Sequence, residues 1–339
     1  MISGYFHLIL FFMKRLSVKI AIFCITASCF SAAPKWVTNQ EKEFPSSKYV
    51  AAMGEGNTEK KAMAAALAGV SQFFDTKTEV LTLAVKKFDS VQVGGSYQTS
   101  ANSSLDQITK VSSEAEFFGL NYAPTYHNEK RNVYNVLAYV DKAEAAKTYK
   151  GYINTLMDAI KNYRSAAQND SEAFNSALYM QKAEALSVLA ASYIKTLGII
   201  EPNSLNTYKS DSELINLLPI ERAQYKKKAT FSVSLKQEDA KLAQLTDSVA
   251  EILENRGYIY SETNGRYQVL LNITCNEEQY DIGPFVRPSL KITITNPNGD
   301  SLYSYSKKYQ RVGAKTSDLA YTRAVLKIEE DLKENFLAE

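Results

Sequence analysis

The sequence predicts an α+β protein built in three consecutive parts, and three observations carry that prediction. Residues 48–53 suit a short strand and run through Gly54 and Gly56 into an Ala-rich stretch with helical spacing. Residues 142–197 hold two long stretches whose apolar side chains recur at i, i+3, i+4 and i+7. Beyond residue 229, alternating runs are divided by Asn264-Gly265 and by the turn-rich segment 296–300. The parts are 34–141, 142–220 and 221–339, after a leader at 1–31. With 339 residues and 45% hydrophobic content, the chain has enough apolar material for more than one packed unit.

The leader reads as a targeting segment. Lys14, Arg15 and Lys19 form a basic start, and residues 20–30 form an apolar core too short to span a bilayer. Met13 reads as the true start, with residues 1–12 an extension. The three cations interrupt the apolar stretch counted from Met1, which argues against a membrane anchor. A peptidase cut after Ser31 would have small residues, Cys29 and Ser31, at both recognition positions. An exported protein is the expectation. Residues 32–47 read as an extended lead-in in which Trp36, the sole Trp, packs on the first part.

In the first part, Tyr49, Val50 and Met53 suit a buried strand, and Gly54 and Gly56 read as a structural turn that lets neighbouring chain come close. Asn57 or Thr58 can cap the helix that follows, and Glu59 suits its first turn. Ala62, Ala66, Gly69, Val70 and Phe73 mark the face of that helix that lies on a sheet. A phosphate cradle is disfavoured. A dinucleotide fingerprint needs a third glycine where Glu59 stands, and there is no Gly-Lys-Ser/Thr.

The run Pro34, Lys35, Trp36, Val37, then Tyr49-Val50, then Gly54-Glu55-Gly56 and the Ala-rich helix resembles the LPP-twenty lipoprotein family of bacterial envelopes. It is also similar to the N-terminal domain of flagellar assembly protein T. The resemblance covers residues 34–145. It implies a dodecin-like helix packed on a sheet, no catalytic residues, and self-association or docking to other envelope proteins, at the outer membrane or the flagellar base. It also implies lipidation, for which Cys29 after Thr26, Ala27 and Ser28 is the candidate. Thr26 stands where a lipobox carries a Leu-like residue. One acyl chain binds membranes weakly, whereas the two or three of a bacterial lipoprotein anchor the protein. Periplasm or outer membrane is the expected location.

Further along, 78–85 reads as strand or continued helix, 90–104 as a loose loop, and 108–118 and 132–140 as strands, with a turn at 128–131. Residues 142–167 read as a helix with a stripe of Tyr149, Tyr152, Ile153, Leu156, Ile160 and Tyr163. A second helix presents Leu186, Leu189, Ala190, Tyr193 and Leu197 and stops at Gly198. The pair reads as an antiparallel hairpin. Residues 201–228 read as a linker with one short helix, 211–218, a capping box at Ser210 and Glu213, and an end near Pro219. The last part reads β-α-β-β-β-β-α, an antiparallel sheet with helices on one face. Hairpins are expected at 264–265 and 296–300. The closing helix, 317–337, is expected to bury Leu319, Val325, Ile328 and Leu332.

The net charge of +2, with 226–228 the only tight basic run after the leader, argues against nucleic-acid binding. His127 stands alone at a turn and lacks partners for metal or acid–base work. Cys275 lies in an alternating pattern and reads as a small buried residue. Glu277, Glu278 and Asp281 lack the ligand spacing of a calcium loop and read as a solvated loop. No catalytic, cofactor-binding or metal-ligating residue is assigned. The expected function is a non-enzymatic binding or structural role in the envelope. The alternatives are a carboxylate-dependent enzyme acting on glycans, which needs two facing acids in a cleft, and a small-ligand carrier, which needs a closed apolar pocket.

Overall fold

The computed structural model describes residues 33–73, 83–84, 86–88, 119–237 and 239–338. The leader with Cys29, the loop expected at 90–104, the strand expected at 108–118 and most of 78–85 lie outside the described residues. Residues 83–84 and 86–88 are helical.

The architecture is α+β. In the first sheet, β1 (Tyr49–Gly56) runs antiparallel to the central β4 (Val133–Asp141), which also pairs with the short β2 (Leu120–Tyr122) and β3 (Tyr126–Asn128). The lead-in is not extended: it forms two single-turn helices, α1 (Lys35–Thr38) and α2 (Gln40–Glu43). Asn39 accepts from the Lys42 amide, and the Trp36 amide donates to Glu43, so local side-chain partners hold the turns. Trp36 is buried with Ala123 and Leu137 on one face of the sheet. Helix α3 (Glu59–Ser71), capped by Thr58, covers the other face through Ala62, Ala66 and Val70.

The glycines expected at the turn lie inside β1, and Asn57 and Thr58 make the connection. Close approach is nevertheless their role. A Cβ at Gly54 would overlap the Ala62 carbonyl oxygen and the Ala66 nitrogen, and one at Gly56 would stand 2.7 Å from the Ala62 nitrogen. Small residues on both elements bring the helix backbone directly onto the strand.

Three helices follow. α4 (Lys142–Asn169) and α5 (Ala173–Ile200) form the expected antiparallel hairpin, and α6 (Lys209–Lys228) packs beside α5. Asp141 caps α4 by accepting from the Ala143 and Glu144 amides. α5 is buried around most of its circumference, and continues past Gly198 to Ile200. A Cβ at Gly198 would stand 2.8 Å from Leu205, so this glycine makes room for the turn Pro202–Asn206 and does not end the helix. α6 is one continuous helix with Pro219 inside it, not a short helix and a linker, so the boundary drawn at 220/221 falls within it. It begins at Lys209, ahead of the expected capping box. An interior proline costs about 3 kcal/mol. Here buried Leu218 and the Arg164–Glu221 and Arg222–Glu184 pairs hold both halves of the helix against α4 and α5.

The second sheet comprises β5 (Thr230–Leu235), β6 (Ile259–Tyr260), β7 (Tyr267–Tyr280), β8 (Gly283–Thr295), β9 (Ser301–Lys308) and β10 (Val312–Gly313). Its order is β10-β8-β7-β5-β6, with β9 also paired to β8. It is antiparallel from β7 onward, but β5 runs parallel to both neighbours. The hairpin expected at 264–265 is therefore absent, because β5 lies between β6 and β7. Gly265 passes so close to the Phe231–Ser232 backbone that a Cβ would overlap it. The 296–300 turn does join β8 to β9 as a hairpin. α7 (Ala243–Asn255) and α8 (Ser317–Asn335) cover one face. α8 buries Ala320, Ala324, Val325, Ile328 and Leu332, while Leu319 is 43% exposed, one position off that stripe.

One hydrophobic core runs from Val50 to Leu337. At its centre Phe174, at the start of α5, packs edge-on against Phe231 (5.4 Å) and Tyr303 (6.3 Å). Glu172 joins the same parts in polar fashion. It accepts from the Tyr267 hydroxyl (2.9 Å), Arg266 (3.3 Å) and Asn296 (3.4 Å).

Candidate functional site

One feature suited to meet another molecule is the open rim of the second sheet at β9. Its sequence, Ser301-Leu-Tyr-Ser-Tyr-Ser-Lys-Lys308, alternates aromatic and small polar residues, as expected for a strand with one buried face. Tyr303 and Tyr305 turn toward the helices. Ser304 and Ser306 are exposed.

A buried carboxylate fixes this strand. Asp331 of α8 is 7% exposed and accepts from the Tyr305 hydroxyl (2.6 Å), the Tyr309 hydroxyl (2.7 Å), the Lys307 ammonium and Asn335 (2.9 Å). Burial works to raise the Asp331 carboxyl, but the hydrogen bonds from Lys307, Tyr305 and Tyr309 outweigh it and hold it below the ordinary aspartate range. The same burial, reinforced by the carboxylate, pushes both tyrosine hydroxyls up. This carboxylate is fully occupied by donors and serves as a clasp between β9 and α8.

The outer edge of β9 is left unpaired among the described residues. The Tyr309 amide donates to the Pro288 carbonyl at 3.0 Å, which sets the alternation of the antiparallel ladder. Odd-numbered residues of β9 therefore bond to β8. The backbone N–H and C=O groups of Ser304 and Ser306 face outward. The sheet's uncovered face carries Ser234, Gln268, Thr274 and Lys291, all exposed.

The residues singled out in the sequence do not converge. Gly54 and Gly56 lie in the first sheet, beneath α3. His127 is exposed on β3, its ring stacked on Tyr134 at 4.4 Å. Cys275 sits partly buried on β7. Burial pushes its thiol up, and the Tyr321 hydroxyl beside it donates to Asp239 at 2.8 Å. Glu277 and Glu278 belong to strand β7, not to a loop. Glu278 bonds the Tyr280 hydroxyl (2.8 Å) and Arg287 (3.1 Å) across the hairpin. Among the described residues no group of three or more His, Cys, Asp or Glu could hold a metal ion. The clasp was missed by sequence reasoning. Its one signal, a lone Asp on the apolar stripe of the last helix, lies 22–26 residues from its partners.

No family model matches the chain, and no curated protein matches it. Among solved structures it is similar to lipoprotein GNA1162 of Neisseria meningitidis, at 14% identity, 30% of this chain, 96% of that chain and a TM-score of 0.23. It is similar to a minor lipoprotein of Acinetobacter baumannii, at 12% identity, 32% and 92% coverage and a TM-score of 0.23. The secreted protein HP1454 of Helicobacter pylori aligns over 85% of this chain and 98% of its own, at 10% identity and a TM-score of 0.36.

Proposed function

We propose that this chain is an exported bacterial envelope protein that works by docking, without catalysis, to a second copy or to another envelope protein through β9. The open outer edge of β9 carries the reading. Strand addition needs a row of free backbone donors and acceptors on a rigid strand. β9 offers that row at Ser304 and Ser306, and the Asp331 clasp makes it rigid. Lys307 and Lys308 at one end limit how far an added strand can run. The basic start and apolar core of the leader support export, and Cys29 is the proposed lipid attachment point.

Two measurements test this. A photo-crosslinking residue at Ser306, activated in intact envelopes, is expected to give adducts with the same chain or with an envelope protein. Adding Ser304→Pro removes one outward N–H and is expected to abolish those adducts without shifting the unfolding midpoint. Absence of adducts, or adducts unaffected by the proline, would overturn docking through this edge. Separately, mass spectrometry of the processed N-terminus is expected to show either acylated Cys29 or a free Ala32. An intact leader on protein from the cell interior would rule out export.

A further inference from the structure

A second surface lies at the tip of the β7–β8 arm, at the far end of the sheet from the 296–300 turn. The two strands stay paired from Gln268 opposite Thr295 out to Tyr280 opposite Gly283. At the turn Ile282 is 84% exposed, the most exposed of the large apolar side chains described. Tyr280, 40% exposed, packs edge-on against Phe285 at 5.2 Å, and the Arg311 guanidinium lies 4.8 Å above the Tyr280 ring. Beside the tip is an open cleft of about 610 Å³ whose walls include Ile282, Phe285 and Leu319. Lys315 and Arg323 are the charged side chains in its lining, and no carboxylate lines it.

Among the acids near the tip, Glu278 is engaged by Arg287 and also faces Arg311, and Asp318 is engaged by Lys241 at 2.6 Å. Arg311, Lys315 and Arg323 are all exposed and form no ion pair among the described residues, although Arg323 donates to the Gly313 carbonyl at 2.9 Å. A projecting apolar knob with an aromatic pair at its base and a rim of exposed cations fits a fluid surface that is apolar inside and anionic outside. Aromatic rings and the long stems of Arg and Lys suit the boundary between headgroups and acyl chains. A small soluble anion could meet Lys315 and Arg323 but would leave Ile282 in water.

We infer that the β7–β8 tip is a membrane-contact site that inserts Ile282 beneath the headgroups of an anionic bilayer, with Arg311, Lys315 and Arg323 binding phosphate groups. The site is separate from the β9 edge and does not depend on docking there.

The test places a probe at the tip of the full chain. Ile282→Trp adds a second tryptophan to buried Trp36, and the emission difference from the unsubstituted chain reports position 282, whatever the leader does. With vesicles of phosphatidylethanolamine and phosphatidylglycerol, the difference emission is expected to move to shorter wavelength and to be quenched by brominated acyl chains. Replacing Arg311, Lys315 and Arg323 by Glu is expected to weaken the half-saturation of that signal by at least about tenfold. Three results would overturn the inference. One is no shift with any vesicle. Another is an equal shift with phosphatidylcholine alone. The third is a shift that grows with protein concentration without vesicles, which would mark a contact between copies. Ser304→Pro is expected to leave the vesicle signal intact, so failure at β9 and failure at the tip are distinguishable.

Discussion

Asp331→Ala is expected to destabilise the protein by about 3 kcal/mol or more, the scale for removing one member of a buried, hydrogen-bonded ionic group. The substitution leaves the Tyr309 and Tyr305 hydroxyls without their acceptor in a buried site and frees Lys307 from its partner. Urea unfolding at neutral pH measures it, and equal midpoints for the two proteins would refute the clasp. The pH dependence follows from the lowered carboxyl. A group whose folded-state pKa is depressed stabilises the fold above its unfolded value, and that contribution disappears as pH falls through the folded value. The gap between the native chain and Asp331→Ala is therefore expected to be full at pH 7 and to close on acidification below about pH 4, the ordinary aspartate value. Because the clasp holds β9, the variant is also expected to lose the Ser306 crosslinks, whereas Ser304→Pro loses them with stability unchanged.

Gly54→Ala is expected to be comparably severe. The added methyl has no free volume: it meets the backbone of α3 at Ala62 and Ala66, which no rotamer change can relieve. Overpacking of this kind costs about 1–3 kcal/mol, and more where backbone must shift. Trp36 gives a local reading, since it is 4% exposed on the opposite face of the same sheet. The variant is expected to show red-shifted Trp36 emission and an earlier loss of that signal in urea. Gly151→Ala is the control. Gly151 is exposed on α4, and a methyl added there would meet nothing within 4 Å, so helix propensity is expected to raise stability by about 1 kcal/mol. If both glycines behave alike, close approach is not the reason for Gly54.

The parts of the fold that were legible are those where one stretch of chain decides its own structure. The strand-then-helix order at 49–71 (though not a turn at Gly54 and Gly56, which lie in the strand), the stripes of α4 and α5 and the 296–300 hairpin all follow from local spacing. What was not legible depends on neighbours distant in sequence. Pro219 reads as a stop, and only the packing of Leu218 with the ion pairs to Arg164 and Glu184 carries α6 through it. Asn264-Gly265 reads as a hairpin turn, and the placement of β5 between β6 and β7 overrides that signal. Residues 275–289 hide a long two-stranded arm because Glu277, Glu278, Asp281, Pro284 and Pro288 resemble loop composition. Cross-strand contacts of Glu278 hold the arm, and both prolines turn their nitrogen side away from β7, with their carbonyls accepting from the Tyr309 and Ala314 amides. At the candidate site, β9 was recognisable as a strand, but an exposed edge is a property of the finished sheet.

If the chain is exported as proposed, α5 has a consequence for its unfolded state. An 18-residue window within Ala173–Ile200 averages 1.4 in hydropathy, although in the folded protein the helix is an ordinary interior element. A chain threaded through a translocation channel would present this greasy stretch before its packing partners had emerged, and sideways escape into lipid would strand the passenger halfway. Charged side chains would oppose that escape, with Lys182 and Glu184 at the N-terminal border of the greasiest stretch and Lys195 within it, since an ionised residue is costly in hydrocarbon. Once folded, Lys182 lies over the Phe88 ring at 4.2 Å and Glu184 takes the Arg222 guanidinium at 2.8 Å. In a chain exported as proposed, groups awkward for an interior helix would also keep the same segment from lodging in the bilayer.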